Sequence, residues 1–361
     1  MRLLIAGGGT GGHLFPALAV ARALKEEDPG AQILFVGTKH GIEVRVIPET
    51  EFSIKFIAAR GMKRTGMMNL LKGFLELPLG AMQSLSILRS FRPHVVLGVG
   101  GYASGPTLIA AALLRIPTAV QEQNSVMGTT NRVLSRIVDQ IFISWENTEP
   151  PPPPTKTVLT GNPIRGDLLA GGPINGSNRD RLNILIFGGS RGARSINEAM
   201  AGNLALLVPF ADKIAILHQS GLGAAEKIKD AYKEAGIQAE VKEFINEMGP
   251  AYKWADLVVC RSGASSLAEI TALGKPAILV PYPYAIGDHQ ARNASVLEEK
   301  GAVRVVPDDK LANGALAGEI RNLLEDPDQL VTMGHNSQKL GRPDAARMIA
   351  LDLLKMGRSR A

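Results

Sequence analysis

Two stretches, RLLIAGGGTGGHLFPALAVARAL at 2–24 and LNILIFGGSRGARSINEAMAGNL at 182–204, follow one plan: a short apolar run, a glycine-rich turn, then a helical pattern. That plan opens a doubly wound parallel sheet, and it occurs twice. Further apolar runs, ILFVG, HVVLGVG, AVQEQN, QIFIS, DLVVC and PAILVP, alternate with helical stretches. Runs without polar alternation are what strands buried on both faces require. In the first helical pattern Leu14, Ala17, Leu18, Ala21 and Leu24 recur at helical spacing, giving one face to lie on a sheet. The chain, at 361 residues, also exceeds what one core usually fills. The expectation is an α/β protein of two Rossmann-like, doubly wound domains facing a central cleft.

Between the two openings lies NTEPPPPPTKTVLTGNP, 147–163, whose consecutive prolines suit a stiff exposed segment and neither a helix nor a central strand. The expected domains are 1–163 and 164–342, followed by a last helical stretch, 343–356, after Arg342-Pro343. Ligands of such sheets bind at the carboxyl ends of the strands, so both glycine turns would point into the cleft.

The first turn satisfies G-x-G-x-x-G through Gly7, Gly9 and Gly12, with Gly8 and Gly11 besides. A dinucleotide site needs an acidic residue after the second strand, and ILFVG is followed by Thr38 and Lys39. This disfavours an NAD-linked oxidoreductase and leaves a phosphate cradle at a helix N-terminus. His13, at the turn's exit, is either a cap on the backbone or a general base, the ~6.5 pKa of a free imidazole suiting the latter. The other isolated histidines, His40, His94, His218 and His335, read as structural or exposed. FGGSRGA places Ser190 and backbone N–H groups for a second phosphate. RSGASSLAEI, 261–270, reads as strand end, loop and helix with Gly274 as C-cap. Its Glu269 would complement the helix dipole or accept two ribose hydroxyls. IGDHQARNA, 286–294, offers Asp288 as a cap and leaves Gln290 and Asn293 unexplained by capping.

The surplus of 40 basic over 34 acidic residues, a net charge of +6, points to an anionic partner. Nucleic acid is disfavoured, because no basic cluster interleaves with aromatics among two tryptophans and five tyrosines. The single Cys260, inside DLVVC, excludes an internal disulfide and reads as core. Glycines interrupt the apolar start, so it does not read as a signal peptide, and no apolar run reaches the ~18 residues of a membrane span. A cytoplasmic protein is expected. DPD at 326–328 reads as a helix stop and N-cap, and no histidine pair has metal-ligand spacing, so no metal site is expected. Residues 67–93 are apolar, broken by Lys72, Glu76 and Pro78, with Lys63, Arg64, Arg89 and Arg92 around them. They suit a core-packing helix or an interfacial membrane contact.

Taken in order, GGGTGGHLFPALAVA, GVGGYASGP, QEQN, GNPIR, GGSRGAR, EFI, SGASSLAE and DHQARNA resemble the MurG family across essentially the whole chain. Members transfer N-acetylglucosamine from UDP-N-acetylglucosamine to undecaprenyl-pyrophosphoryl-N-acetylmuramoyl-pentapeptide, the last cytoplasmic step of peptidoglycan precursor synthesis. The resemblance implies the GT-B fold, with the C-terminal helix returning to the first domain. It places Thr10, Gly11, Gly12, Asn124 and Arg165 on the donor side. Ser190 would hold the UDP diphosphate and Ile245 the uracil through its backbone. Ala264, Ser265, Ser266, Leu267, Ala268 and Glu269 would hold the nucleoside, and Gln290 the sugar hydroxyls. Gly9, Gly12, His13 and Tyr102 would face the acceptor, with His13 the candidate base and Glu122 beside it in the catalytic set. Arg165 or Arg191 with helix N-termini would stabilise departing UDP, so no cofactor and no metal is implied. The partners implied are the two substrates and an anionic membrane surface, met from the cytoplasmic face. Gln121 and Arg191 depart from the family's common histidine and glutamine. A UDP-N-acetylglucosamine epimerase of the same fold is the alternative reading.

Overall fold

A computed structural model describes residues 1–59, 67–169, 181–189 and 192–358. The chain forms two compact units, Met1–Arg165 with Pro343–Ala361, and Gly166–Arg342.

Among the described residues the first unit carries β1 (Arg2–Ala6), β2 (Gln32–Gly37), β3 (Ser53–Phe56), β4 (Val95–Gly98), β5 (Thr118–Glu122), β6 (Gln140–Ile143) and β7 (Thr157–Leu159). They pair in the order β3-β2-β1-β4-β5-β6-β7, all parallel. Ile5 of β1 stands opposite Phe35 on one side and Leu97 on the other. Alternate residues of β1 serve opposite faces. Leu3 and Ile5 join a layer with Leu14 and Leu24, while Leu4 and Ala6 join one with Leu88 and Leu108. Burial on both faces is why β1 is apolar from Leu3 to Ala6.

The helix Gly11–Glu27 buries Leu14, Ala17, Leu18, Ala21 and Leu24, as its spacing predicts, but also Val20 and Ala23. The cause lies far along the chain. The helix Ala345–Arg358 packs against it with Ile349, Ala350 and Leu353 in the same layer. At the first helix's last residue, Arg347 Nε donates to Glu27 Oε1 at 2.6 Å. On the other face lie the helices Met67–Phe91, which runs on through Pro78, and Ser104–Leu113. The proline-rich stretch does not simply separate two domains: it leads into β7, an edge strand of the first sheet.

The second unit carries β8 (Leu182–Phe187), β9 (Ile214–Gln219), β10 (Ala239–Lys242), β11 (Leu257–Cys260), β12 (Ala277–Leu279) and β13 (Val303–Val305), parallel in the order β10-β9-β8-β11-β12-β13. Each sheet therefore reverses its strand order once, between β1 and β4 and between β8 and β11. Ligands of open α/β sheets bind outside the carboxyl ends of the strands at that reversal. No helix of the described residues is long and apolar enough to cross a membrane.

Candidate functional site

In the first unit the loops after β1 and β4 meet at the reversal. Gly7 has φ +149°, and a Cβ there would stand 2.4 Å from Val99 Cγ2 and 2.5 Å from the Gly100 carbonyl oxygen. Gly101, at φ +81°, would place a Cβ 2.5 Å from the Gly8 carbonyl oxygen. Backbone meets backbone here, and only glycine allows it. Ser104 stitches the two loops, its Oγ donating to the Ala6 carbonyl at 2.7 Å and accepting from the Gly100 N–H at 3.1 Å.

The acid missing from the end of β2 arrives from downstream. Glu43, buried, accepts from the N–H of Gly9 at 2.7 Å, the N–H of Thr38 at 3.0 Å and Thr38 Oγ1 at 3.2 Å. Its carboxylate braces the glycine turn from beneath, committed to internal donors rather than to a ribose. Nothing in the local sequence around Glu43 marks this role.

Gly9, Thr10 and Gly12 are exposed at the start of the helix Gly11–Glu27, with Gly11 and His13 half-buried. Thr10 caps with its carbonyl, which accepts from the Leu14 N–H at 3.1 Å, and its side chain makes no cap bond. The His13 ring is directed away from a capping role: its Nδ1 lies 3.0 Å from Gln123 Oε1. The ring also packs on Gly100, where a Cβ would approach Cε1 to 3.0 Å.

β5 delivers the segment that faces His13. Glu122 is buried, and Oε1 accepts from the Asn124 N–H (3.0 Å) and Nδ2 (3.3 Å). Its Oε2 accepts from the Gly128 N–H (3.0 Å) and Asn131 Nδ2 (2.9 Å). Four donors on one carboxylate describe a group that fixes the loop carrying Asn124. Tyr102 is exposed in the β4 loop. Arg165 sets its guanidinium 5.9 Å from the centroid of the Phe15 ring, which brings it to the first helix.

In the second unit Ser190 and Arg191 lie outside the described residues. The helix Ala264–Ala272 starts at the end of the loop after β11, at the reversal, and Gly274 follows it at φ +62°. Leu267 points into the core, and Ala264 is buried. Ser265, Ser266, Ala268 and Glu269 are half-buried, and Ser265 Oγ is enclosed with no hydrogen-bond partner. Glu269 Oε2 accepts from Tyr252 Oη at 2.9 Å, which orients the carboxylate. The N–H of Ile245 donates to Gln219 Oε1 at 3.0 Å. Gln290 is tied at both ends: Oε1 accepts from the Tyr282 N–H at 2.9 Å, and its carbonyl accepts from Ser262 Oγ at 2.8 Å. Asp288 does not cap as its type and place predict. It stands before the helix His289–Glu299 at φ +56° and makes no side-chain cap bond.

Arg261, at the end of β11, was not singled out by its sequence. It donates to the carbonyls of Val280 and Pro281 at 3.1 Å each, to Ser195 Oγ at 2.7 Å and to Asp308, tying the segment after β12 to the start of the helix Arg194–Gly202 and to the turn at Asp308. Cys260 is buried, and burial pushes its thiol up. Among the described residues no cluster of His, Cys, Asp and Glu could hold a metal ion.

Residues 3–143 match the N-terminal domain of glycosyltransferase family 28, and residues 183–349 match its C-terminal domain. A protein of Geobacter sulfurreducens named UDP-N-acetylglucosamine–N-acetylmuramyl-(pentapeptide) pyrophosphoryl-undecaprenol N-acetylglucosamine transferase is 46% identical over 357 residues, covering 98% of each chain. A protein of the same name from Syntrophus aciditrophicus is 45% identical over 356 residues, 99% of each chain. The crystal structure of Acinetobacter baumannii MurG superimposes with a TM-score of 0.79 at 29% identity, over 98% of this chain and 99% of that one. A UDP-GlcNAc 2-epimerase from Neisseria meningitidis, at 16% identity and a TM-score of 0.66 over 98% of this chain and 100% of that one, shares the fold. The two parallel-sheet units are thus those of a GT-B glycosyltransferase, and the chain belongs to glycosyltransferase family 28, within its MurG family.

Proposed function

We propose that this enzyme moves N-acetylglucosamine from UDP-N-acetylglucosamine to the 4-hydroxyl of undecaprenyl-pyrophosphoryl-N-acetylmuramoyl-pentapeptide, with inversion at the anomeric carbon. The supporting observation is the identity of 46% over 357 residues with a transferase named for that donor and acceptor. The chemistry needs a base for the hydroxyl and positive potential for the leaving diphosphate. His13 is the base: the acceptor oxygen forms its bond to the anomeric carbon, that carbon's bond to the UDP oxygen breaks, and the hydroxyl proton passes to His13. Gly9 and Gly12 offer backbone to the acceptor's diphosphate, and Tyr102 flanks it. Thr10, Gly11, Asn124 and Arg165 belong with the donor. The second unit takes UDP. The N-terminal end of the helix Ala264–Ala272 and Ser190 serve its phosphates, Glu269 its ribose, and Gln290 the sugar. With the Ile245 N–H already given to Gln219, the base of the nucleotide meets the Ile245 carbonyl. Glu122, surrounded by donors, acts by holding Asn124 in place and takes no proton.

The acceptor is lipid-anchored, and the first unit has a surface for its membrane. Leu79 and Met82 of the helix Met67–Phe91 are exposed, as are Ile109 and Leu113 of the neighbouring helix Ser104–Leu113. Arg115 is exposed just after the helix Ser104–Leu113, and Arg132 and Arg136 in and after the helix Thr129–Leu134 that packs on it. Apolar side chains rimmed by arginines suit peripheral binding to an anionic leaflet. Lys63 and Arg64 lie outside the described residues. Leu113→Glu is expected to reduce co-sedimentation with anionic vesicles while transfer to a water-soluble acceptor analogue is kept; unchanged co-sedimentation would reject this surface.

The deciding assay is transfer of labelled N-acetylglucosamine to the lipid-linked acceptor in the presence of EDTA. Product establishes the reaction and its independence of free divalent metal. Product only after added magnesium keeps the transferase and rejects the metal-free mechanism. No product from folded protein in either condition rejects the reading in favour of the epimerase.

A further inference from the structure

The His13 ring ends a directed chain of hydrogen bonds whose polarity can be deduced link by link. Ser144 Oγ lies 2.7 Å from the Glu122 carbonyl, which can only accept, so the hydroxyl proton points there. Ser144 Oγ must then accept from its other neighbour, Gln121 Nε2 at 3.3 Å, which also donates to Asn162 Oδ1 at 3.2 Å. This turns Gln121 Oε1 toward Gln123. Gln123 Nε2 donates to it and, at 2.8 Å, to the Val99 carbonyl, a second group that can only accept. Two acceptors on one end of the amide leave the other end, Oε1, facing His13 Nδ1. An amide oxygen cannot donate, so the proton of a neutral His13 sits on Nδ1 and Nε2 carries the lone pair. Gln121 and Gln123 are both almost fully enclosed, so the amides have no water to turn toward.

We propose that Gln123 is the positioning residue that sets the His13 tautomer, with Gln121 and Ser144 fixing the direction of its amide. The role rests on His13 being the base, because a base must present an unprotonated nitrogen to the hydroxyl it deprotonates. Gln123 touches no substrate in this account; it acts only through His13. None of Gln121, Gln123 and Ser144 titrates, so this relay carries no charge of its own.

The first test needs no activity. In the full chain with ¹⁵N-labelled histidine, the His13 resonances, assigned by comparison with His13→Gln, are expected to show a protonated Nδ1 and an unprotonated Nε2 above the imidazole pKa. A protonated Nε2 would overturn the proposal. The second test uses Gln123→Leu, folded by its thermal transition. It should lose the tautomer preference and roughly 10²-fold in kcat, with KM for UDP-N-acetylglucosamine within about twofold. Gln123→Glu, which keeps an acceptor opposite Nδ1, should keep the tautomer and recover part of the lost kcat. An unchanged tautomer in Gln123→Leu would overturn the positioning role. A lost tautomer with unchanged kcat would leave the positioning intact and overturn His13 as base.

Discussion

His218 is enclosed in the second unit, Nδ1 2.9 Å from Tyr232 Oη and Nε2 3.0 Å from Asn197 Oδ1. The Asn197 amide donates to the Ser220 carbonyl, so its oxygen accepts from His218 Nε2–H, and Nδ1 accepts from the tyrosine. Both partners suit a neutral ring, and burial pulls its pKa down from 6.5 to about 4. The unfolded chain therefore binds a proton, below pH 6.5, that the folded chain refuses. The stabilisation is complete above pH 6.5 and is lost as pH falls from there to about 4, amounting to about 3 kcal/mol. Urea titrations of His218→Gln should show a shallower fall in second-unit stability across that window than the parent protein; an equal fall would reject the account. Glu43 gives a second expectation at this scale. Glu43→Gln turns an amide donor toward the N–H of Gly9 or of Thr38, at a cost of about 1–3 kcal/mol. A lower melting temperature with a raised KM for the acceptor is expected. No change in either would mean the turn holds itself.

At the scale of elements, the two loops at the first reversal form one backbone-to-backbone contact. Gly101→Ala adds a methyl 2.5 Å from the Gly8 carbonyl oxygen at a φ of +81°, and should cost about 2–4 kcal/mol and most of the activity. Gly202→Ala is the control: nothing lies within 4 Å of its Cβ, so thermal denaturation should show no loss and a gain of up to about 1 kcal/mol. Strands tell a related story. Six of the apolar runs became β2, β4, β5, β6, β11 and β12, all interior, where burial on both faces favours apolar residues and admits polar ones such as Gln121 and Glu122 of β5 only with hydrogen-bond partners. The four edge strands, β3, β7, β10 and β13, have no such runs, since each has a half-exposed side; β10 reads AEVK. Helix boundaries followed local signals where a cap exists, as at Asp326, whose side chain accepts from the Gln329 N–H.

For the whole molecule, the helix Ala345–Arg358 is the element whose removal says most. It follows the second unit in the chain and packs in the first, burying Ile349, Leu353 and Leu354 against the helix Gly11–Glu27. Burial of three such side chains contributes roughly 5–9 kcal/mol, comparable to the whole stability of a domain. A chain ending at Arg342 should show an early melting transition and rapid proteolysis within the first unit. Gly166–Arg342 should melt as in the full chain. Equal melting of both units would show the helix to be dispensable.

Short-range physics makes part of this protein readable from its residues. Glycine turns after apolar runs, unbroken apolar strands and helical spacing are local, so the α/β class, the parallel sheets and the glycine turn that opens the first helix were legible from residues alone. The tertiary structure decided what depends on distance along the chain. Gln123 meets His13 across 110 residues, and Glu43 meets Gly9 across 34. Neither glutamine nor glutamate carries a local signal of its partner. The fold brings such groups together only once the first sheet has formed. That is why the candidate base could be named from its turn, while the groups that brace the turn and orient the ring could not.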